Sequence, residues 1–236
     1  MTLLETQGLT AHYGDFQALF GVDFTMNEGE TVAVIGANGA GKSTFLRCLT
    51  GLHPSVGQNI NFDGRPIGGM AGDIIHKMGL AMVPEGRRLF PSLTVEENLL
   101  IGAAGKRAGP WSLDAVYDLF PDLMTKRANP GTALSGGQQQ MVAIGRALMA
   151  NPKLIVCDEI SLGLAPKIIK DIYEAIPLIR AKGTSILVVE QDVGQALAVA
   201  DRIYCFMEGR VTLTGTPDTV TRAQIANAYF GIGETV

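Results

Sequence analysis

Residues 31–44, TVAVIGANGAGKST, run a five-residue apolar stretch straight into a glycine-rich bend that ends in a lysine and two hydroxyls. A short continuous apolar run reads as a strand covered on both faces, as in a parallel sheet. The helix that follows, Ser43 to Leu49 with Gly51 as its stop signal, makes this a strand–bend–helix unit of an α/β fold. The bend over Gly36–Ser43 matches G-x-x-x-x-G-K-[ST], the phosphate-binding P-loop. Backbone N–H groups there must point inward around a polyphosphate, and side chains at Gly36, Gly39 and Gly41 would obstruct them. Asn38, Ala40 and Thr44 complete the expected cradle. Lys42 is expected to reach the β- and γ-phosphates and the Ser43 hydroxyl to ligate Mg²⁺, with the positive end of the helix aimed at the anion.

Further strand-like runs recur at Leu80–Val83, Leu154–Cys157, Ser185–Val189 and Ile203–Met207, with helical patterns between them, which predicts a central parallel sheet. Met207-Glu-Gly-Arg210 followed by Val-Thr-Leu-Thr predicts a hairpin at the far edge, and Pro217 to Phe230 a closing helix that ends at Gly231. The first thirty residues alternate, as in Phe16–Phe20 and Val22–Phe24, and predict an antiparallel edge. From Gly86 to Ala150 the helical pattern dominates, broken by the loop Gly102–Pro110 and by Pro121 and Pro130. This predicts one domain over 1–236, with a core of about 1–85 and 151–236 and an inserted helical lobe of about 86–150. The 236 residues suffice for such a domain, and 47% apolar with 18% charged residues is an ordinary globular balance.

A net charge of −4 argues against a dedicated nucleic-acid binder. No apolar run reaches membrane-spanning length, and the first residues lack the pattern of a signal peptide, so the expected location is cytoplasmic. Cys48, Cys157 and Cys205 lie far apart in apolar stretches and read as buried thiols. His53 and His76 have no partner spacing that suggests a metal.

Two more motifs carry chemistry. In LSGGQQQMVAIGRAL, residues 134–148, Ser135 is a natural helix N-cap, and Gly136 and Gly137 leave the first-turn N–H groups bare, a second anion-binding helix start. Met141, Ile144, Gly145 and Leu148 follow on one face before the stop at Asn151-Pro152. In LIVCDE, residues 154–159, an apolar strand ends in two acids: Asp158 is placed to hold Mg²⁺ and Glu159 to polarise an attacking water.

Together these motifs resemble the ATP-binding cassette (ABC) family along the whole chain. The resemblance implies a P-loop NTPase fold with a RecA-like parallel-sheet core, an N-terminal antiparallel β subdomain and an inserted helical subdomain. It implies ATP and Mg²⁺ as ligands and two cassettes stacked head to tail. Ser135, Gly136, Gly137 and Gln138 would then meet the nucleotide held by the opposite P-loop. ATP binding would close the dimer and hydrolysis reopen it. Tyr13 occupies the position where the family stacks an aromatic on adenine.

Two positions depart from the general pattern. Glu85 stands where most members have a Mg²⁺-contacting glutamine, and Gln191 where most have a histidine that touches the γ-phosphate. Glu85 can still ligate Mg²⁺, and an amide can donate to a phosphate oxygen without becoming a cation. Both departures, with VPEGRRLFPSLTVEENL, DEISLGLAPKI, VEQ and the ending NAYFGIG, resemble the LivF-type ATPases of importers for branched-chain amino acids, urea or amides. The resemblance implies a second ATPase subunit, LivG-like or a copy of this chain, and two permease subunits that hold the pair at the inner face of the membrane. A solute-binding protein would act on them indirectly, and Arg87–Phe90 would lie near the permease groove. The residues leave open a low-turnover, ATP-gated dimerisation switch, or a cassette outside transport.

Overall fold

The computed structural model describes residues 1–55 and 59–231. In chain order its strands and helices begin with β1 (Thr2–Tyr13), β2 (Phe16–Asn27), β3 (Thr31–Ile35), α1 (Lys42–Leu49), β4 (Ile60–Phe62), β5 (Arg65–Pro66) and α2 (Gly72–Met78). Next come β6 (Leu80–Val83), α3 (Val95–Gly102), α4 (Leu113–Leu119), α5 (Pro121–Thr125), α6 (Gly136–Leu148), β7 (Leu154–Asp158) and α7 (Pro166–Ala181). The chain closes with β8 (Ser185–Glu190), α8 (Val193–Val199), β9 (Arg202–Met207), β10 (Arg210–Gly215) and α9 (Arg222–Phe230). It divides into two compact units, 1–75 with 187–236, and 76–186. The second unit takes in β6, β7 and α7 as well as the helical stretch 86–150.

In the first unit, β1 and β2 pair antiparallel in a four-stranded sheet of order β2-β1-β4-β5. β2 alternates buried and exposed, as one covered face requires. β3 is buried at every residue and pairs parallel with β9, and β9 pairs antiparallel with β10, giving the order β10-β9-β3-β8. Phe45 of α1 packs against Phe24 and Phe206, ring centroids 5.3 Å apart in each case, and Phe24 meets Tyr204 at 4.6 Å. This aromatic cluster ties α1 to β2 and β9. Burying each such ring contributes about 2–3 kcal/mol.

In the second unit, β6 and β7 pair parallel, and Ser185 at the start of β8 donates its N–H to the Lys153 carbonyl just ahead of β7. α6 is buried on most of its circumference, more than the single apolar face its sequence predicts, because α3 and α5 also pack on it. Side chains at Gly102 and Gly145 would overlap the Arg146 carbonyl in one case and Leu99 and Val116 in the other, so α3, α4 and α6 approach closely.

One element departs from its predicted bounds. α9 begins at Arg222, not near Pro217, because Thr216 and Thr219 close a hydrogen-bonded turn and Thr221 caps the helix with Gln224. It ends at left-handed Gly231 as expected, while Ile232 and Gly233 of the ending NAYFGIG lie outside the described residues.

Candidate functional site

In the first unit the bend after β3 is held from behind. A Cβ at Gly36 would overlap the Phe206 carbonyl, and one at Gly41 would lie 2.9 Å from Leu19 Cδ2 and 3.1 Å from the Ala18 carbonyl. Gly41 also adopts φ 98°. Gly39, at φ 81°, faces open space. This adds a reason for the glycines beside the one read from the motif. Packing by the neighbouring segments by itself requires glycine at Gly36 and Gly41, whereas at Gly39 the positive φ is what favours it.

The Gly209 N–H donates to the Ala40 carbonyl at 3.0 Å, which pins the loop to the β9–β10 turn. α1, with Gly41 as its N-cap, has no side-chain cap and no acid in its first turn, so no carboxylate of its own offsets its positive end. Ser43 and Thr44 lie half-buried in that turn, and Asn38 is exposed at the loop tip. The Lys42 ammonium, 4% exposed, folds back over the loop and donates to the carbonyls of Gly36 at 2.7 Å and Ala37 at 3.1 Å. A buried ammonium beside a helix start that carries no acid is a positive site of the kind that suits an anion.

Tyr13, at the end of β1, is brought to this helix. Its hydroxyl lies 3.5 Å from Thr44 Oγ1 and 3.5 Å from Arg47 Nη1, and its ring lies 4.4 Å from the His53 ring. His53 and Arg47 were not singled out for this place, since forty residues separate His53 from Tyr13 and no local pattern links them. Gln191 stands half-buried between β8 and Asp192, which caps α8.

In the second unit, Asp158 is the last residue of β7 and is 4% exposed. Glu159 follows in a left-handed conformation, φ 48°. Glu85 is exposed, two residues beyond β6, and precedes a turn in which Gly86, Arg87 and Arg88 all take positive φ. Ser135 and Gln138 form a reciprocal capping box at the start of α6: the Ser135 hydroxyl accepts from the Gln138 N–H at 3.3 Å, and Gln138 Oε1 accepts from the Ser135 N–H at 3.1 Å. Their side chains serve the helix itself, while Gly136 and Gly137 have none to cover the first turn. A Cβ at Gly137 would lie 2.5 Å from Ile168 Cγ2, so packing against α7 also requires glycine there.

The Arg146 guanidinium donates to the carbonyls of Arg87 and Arg88, and burial lowers its pKa below the ordinary value. Arg146 did not stand out in the sequence, whereas its partners Arg87 and Arg88 did, as part of the stretch expected near the permease groove. Among the described residues, no three His, Cys, Asp or Glu side chains are grouped to hold a metal by themselves, and no helix is long and apolar enough to cross a membrane.

The chain matches the ABC transporter family model over residues 19–161. It is 42% identical, over 97% of its own length and all of the relative's, to the high-affinity branched-chain amino acid transport ATP-binding protein BraG of Pseudomonas aeruginosa. Among solved structures, a nucleotide-free ATP-binding cassette of an ABC transporter superposes with a TM-score of 0.83 at 28% identity, covering 97% of this chain and 95% of the other. A cassette solved as a dimer in a post-hydrolysis state, bound to ADP and phosphate, gives a TM-score of 0.78 at 26% identity, covering 91% of this chain and 99% of the other. With its P-loop, its glycine-led α6 and its acid-tipped β7, the chain belongs to the ABC transporter family and is one of its ATP-hydrolysing cassettes.

Proposed function

We propose that this cassette is the ATP-driven motor subunit of an importer for branched-chain amino acids or related small solutes. The observation that carries the solute class is the end-to-end 42% identity to BraG. In this reading Lys42 and the N–H groups from Gly36 through Thr44, with Asn38, Gly39, Ala40, Gly41 and Ser43 among them, bind the ATP phosphates, and Tyr13 stacks on the adenine. The buried Lys42 ammonium and the uncapped start of α1 support the phosphate part.

Ser43, Asp158 and Glu85 supply oxygen ligands of the hard kind that Mg²⁺ takes, and the ion, when bound, offsets charge on the β- and γ-phosphates. Glu159 orients and polarises the water that attacks the γ-phosphate, and Gln191 donates an amide hydrogen bond to that phosphate. Ser135, Gly136, Gly137 and Gln138 hold the nucleotide of a second cassette, either a copy of this chain or a LivG-like partner. ATP binding closes that pair and hydrolysis reopens it. The motion passes to two permease subunits, which keep the cassette peripheral on the inner membrane face and receive solute from a binding protein.

Gln191 favours unequal sites. If the partner carries histidine at the matching position, the stronger composite site joins the partner's P-loop to Ser135-Gly136-Gly137 of this chain. The test purifies the chain with its permeases and measures steady hydrolysis and solute uptake. Glu159→Gln is expected to abolish hydrolysis while ATP binding persists. Tight ATP-dependent pairing with no turnover by the unmodified complex would instead establish a switch. A complex that hydrolyses ATP without moving any branched-chain amino acid, urea or amide would overturn the importer reading.

A further inference from the structure

The turn at 86–88 is the most strained backbone in the second unit. Gly86, Arg87 and Arg88 take φ values of 75°, 65° and 45° in succession, and two of the three carry side chains. Left-handed backbone at a non-glycine residue costs about 1 kcal/mol or more and persists only where the surroundings enforce it. The enforcing group is one side chain of α6. Arg146 Nη1 donates to the Arg88 carbonyl at 2.9 Å, Nη2 to the Arg87 carbonyl at 3.1 Å, and the guanidinium lies 5.7 Å from the Phe90 ring centroid. A planar fork fits two successive carbonyls in a way that a single ammonium cannot.

The captured turn fixes where the Arg87 side chain goes. Its guanidinium lies over Gly136, 3.2 to 3.4 Å from where a Cβ would stand, and Nη1 reaches Gln139 Oε1 at 3.5 Å. Gln139 Nε2 in turn donates to the carbonyls of Gly131 at 3.2 Å and Leu134 at 3.3 Å, on the approach to Ser135. Two ends of one helix are thus linked through a loop that contacts both. Arg146 near the C-terminus of α6 holds the turn, and the turn lays Arg87 on the first residues of the same helix.

We propose that Arg146 is a positioning residue. Through the 86–88 turn it sets the Arg87 side chain, and through Arg87 the first turn of α6, so that the turn that follows Glu85 and the Ser135-Gly136-Gly137 turn are positioned together. The inference rests on the reading that this turn meets the nucleotide of a second cassette. It acts after ATP has bound, so kcat responds and ATP affinity does not.

The test uses the full chain in the complex that copurifies with it. Arg146→Lys keeps the charge and loses the fork. It is expected to leave equilibrium ATP binding unchanged and to lower kcat roughly tenfold. Trypsin should cut faster after Arg87 and Arg88, relative to the internal reference sites Lys106 and Arg127. Arg87→Ala should lower kcat similarly, and the double variant should be no slower than the slower single, because Arg146 acts through Arg87. Losses that multiply in the double variant, or wild-type kcat in Arg146→Lys despite faster cutting, would overturn the proposal. A parallel Gly137→Asp variant separates the two levels. If that change keeps the wild-type unfolding midpoint and complex assembly yet abolishes turnover, while the arginine variants lose none, the positioning role fails and the composite-site reading stands. If Gly137→Asp turns over normally, the composite-site reading itself fails.

Discussion

Asn98 and Phe90 clasp each other by two hydrogen bonds: the Phe90 N–H donates to Asn98 Oδ1 at 2.9 Å, and Asn98 Nδ2 donates to the Phe90 carbonyl at 3.1 Å. Asn98 is fully buried in α3, and its amide also reaches the carbonyls of Leu93 and Thr94. One carboxamide thus serves four backbone groups of the loop 90–94, beside the loop's own backbone hydrogen bonds. Asn98→Leu would leave the Phe90 N–H without this acceptor and take one of two donors from the carbonyls of Phe90, Leu93 and Thr94, which keep backbone N–H partners. It is expected to destabilise the second unit by about 2 kcal/mol. Urea unfolding followed by emission of Trp111, the chain's single tryptophan, checks this. A loss below about 1 kcal/mol would mean that the loop finds other partners.

Gly145 makes a comparable demand in apolar terms. An added methyl would sit 2.7 Å from both Leu99 Cδ2 and Val116 Cγ1, and both of those residues are fully buried. Overpacking of this kind costs about 1–3 kcal/mol, against roughly 1 kcal/mol recovered from alanine's better helix propensity. Gly145→Ala should therefore be net destabilising, and the added change Val116→Ala should relieve the clash with one of the two partners. A gain in the unfolding midpoint for Gly145→Ala alone would show that α3 and α4 yield easily.

Lys42→Ala removes the buried ammonium from the P-loop mouth. ATP affinity, measured by titration calorimetry, should fall by roughly 100-fold, as expected for losing a charge-assisted bond in a desolvated site. Thermal stability without nucleotide should change far less than affinity, because the lysine's loop partners are the backbone carbonyls of Gly36 and Ala37. Unaltered ATP affinity would remove Lys42 from the phosphate site.

Burial pushes the Cys48 and Cys205 thiols up to about 11 from an ordinary 9.0. The folded chain then keeps protons that the unfolded chain releases. The stability linked to these thiols is fully present below pH 9 and is lost as pH rises from 9 to 11. Paired substitution of both by alanine should flatten the decline of the urea midpoint across that window. A decline as steep as wild type would show that the thiols contribute nothing to it. All three cysteines are buried thiols outside any disulfide, so none should react with a disulfide reagent at pH 8 before unfolding.

The sequence made legible whatever a local pattern could carry. β3 and β7 appear as unbroken apolar runs because both faces are covered, and the starts of α1 and α6 appear as bare glycines beside a lysine or a serine. β4 and β5, three and two residues long, are too short to show a period and escaped notice. Contacts between distant residues left no trace either. His53 packs on Tyr13 across forty residues, Trp111 donates to Thr184 across 73, and Arg146 reaches back 58 and 59 residues to its carbonyls. The role of Gly36 and Gly41 was half legible: the glycines were evident, while the strands pressing on them from behind were not.

If Glu159 polarises the attacking water as proposed, it is the residue on which durability and work pull apart. A side-chain-bearing residue in the left-handed region is a small standing penalty that glycine or asparagine would lift. A population of variants screened for heat resistance alone should drift toward those two residues at position 159 and emerge tougher and inert. The same population grown where survival depends on turnover should keep the acid and carry its cost, so the two selections would diverge at a single codon.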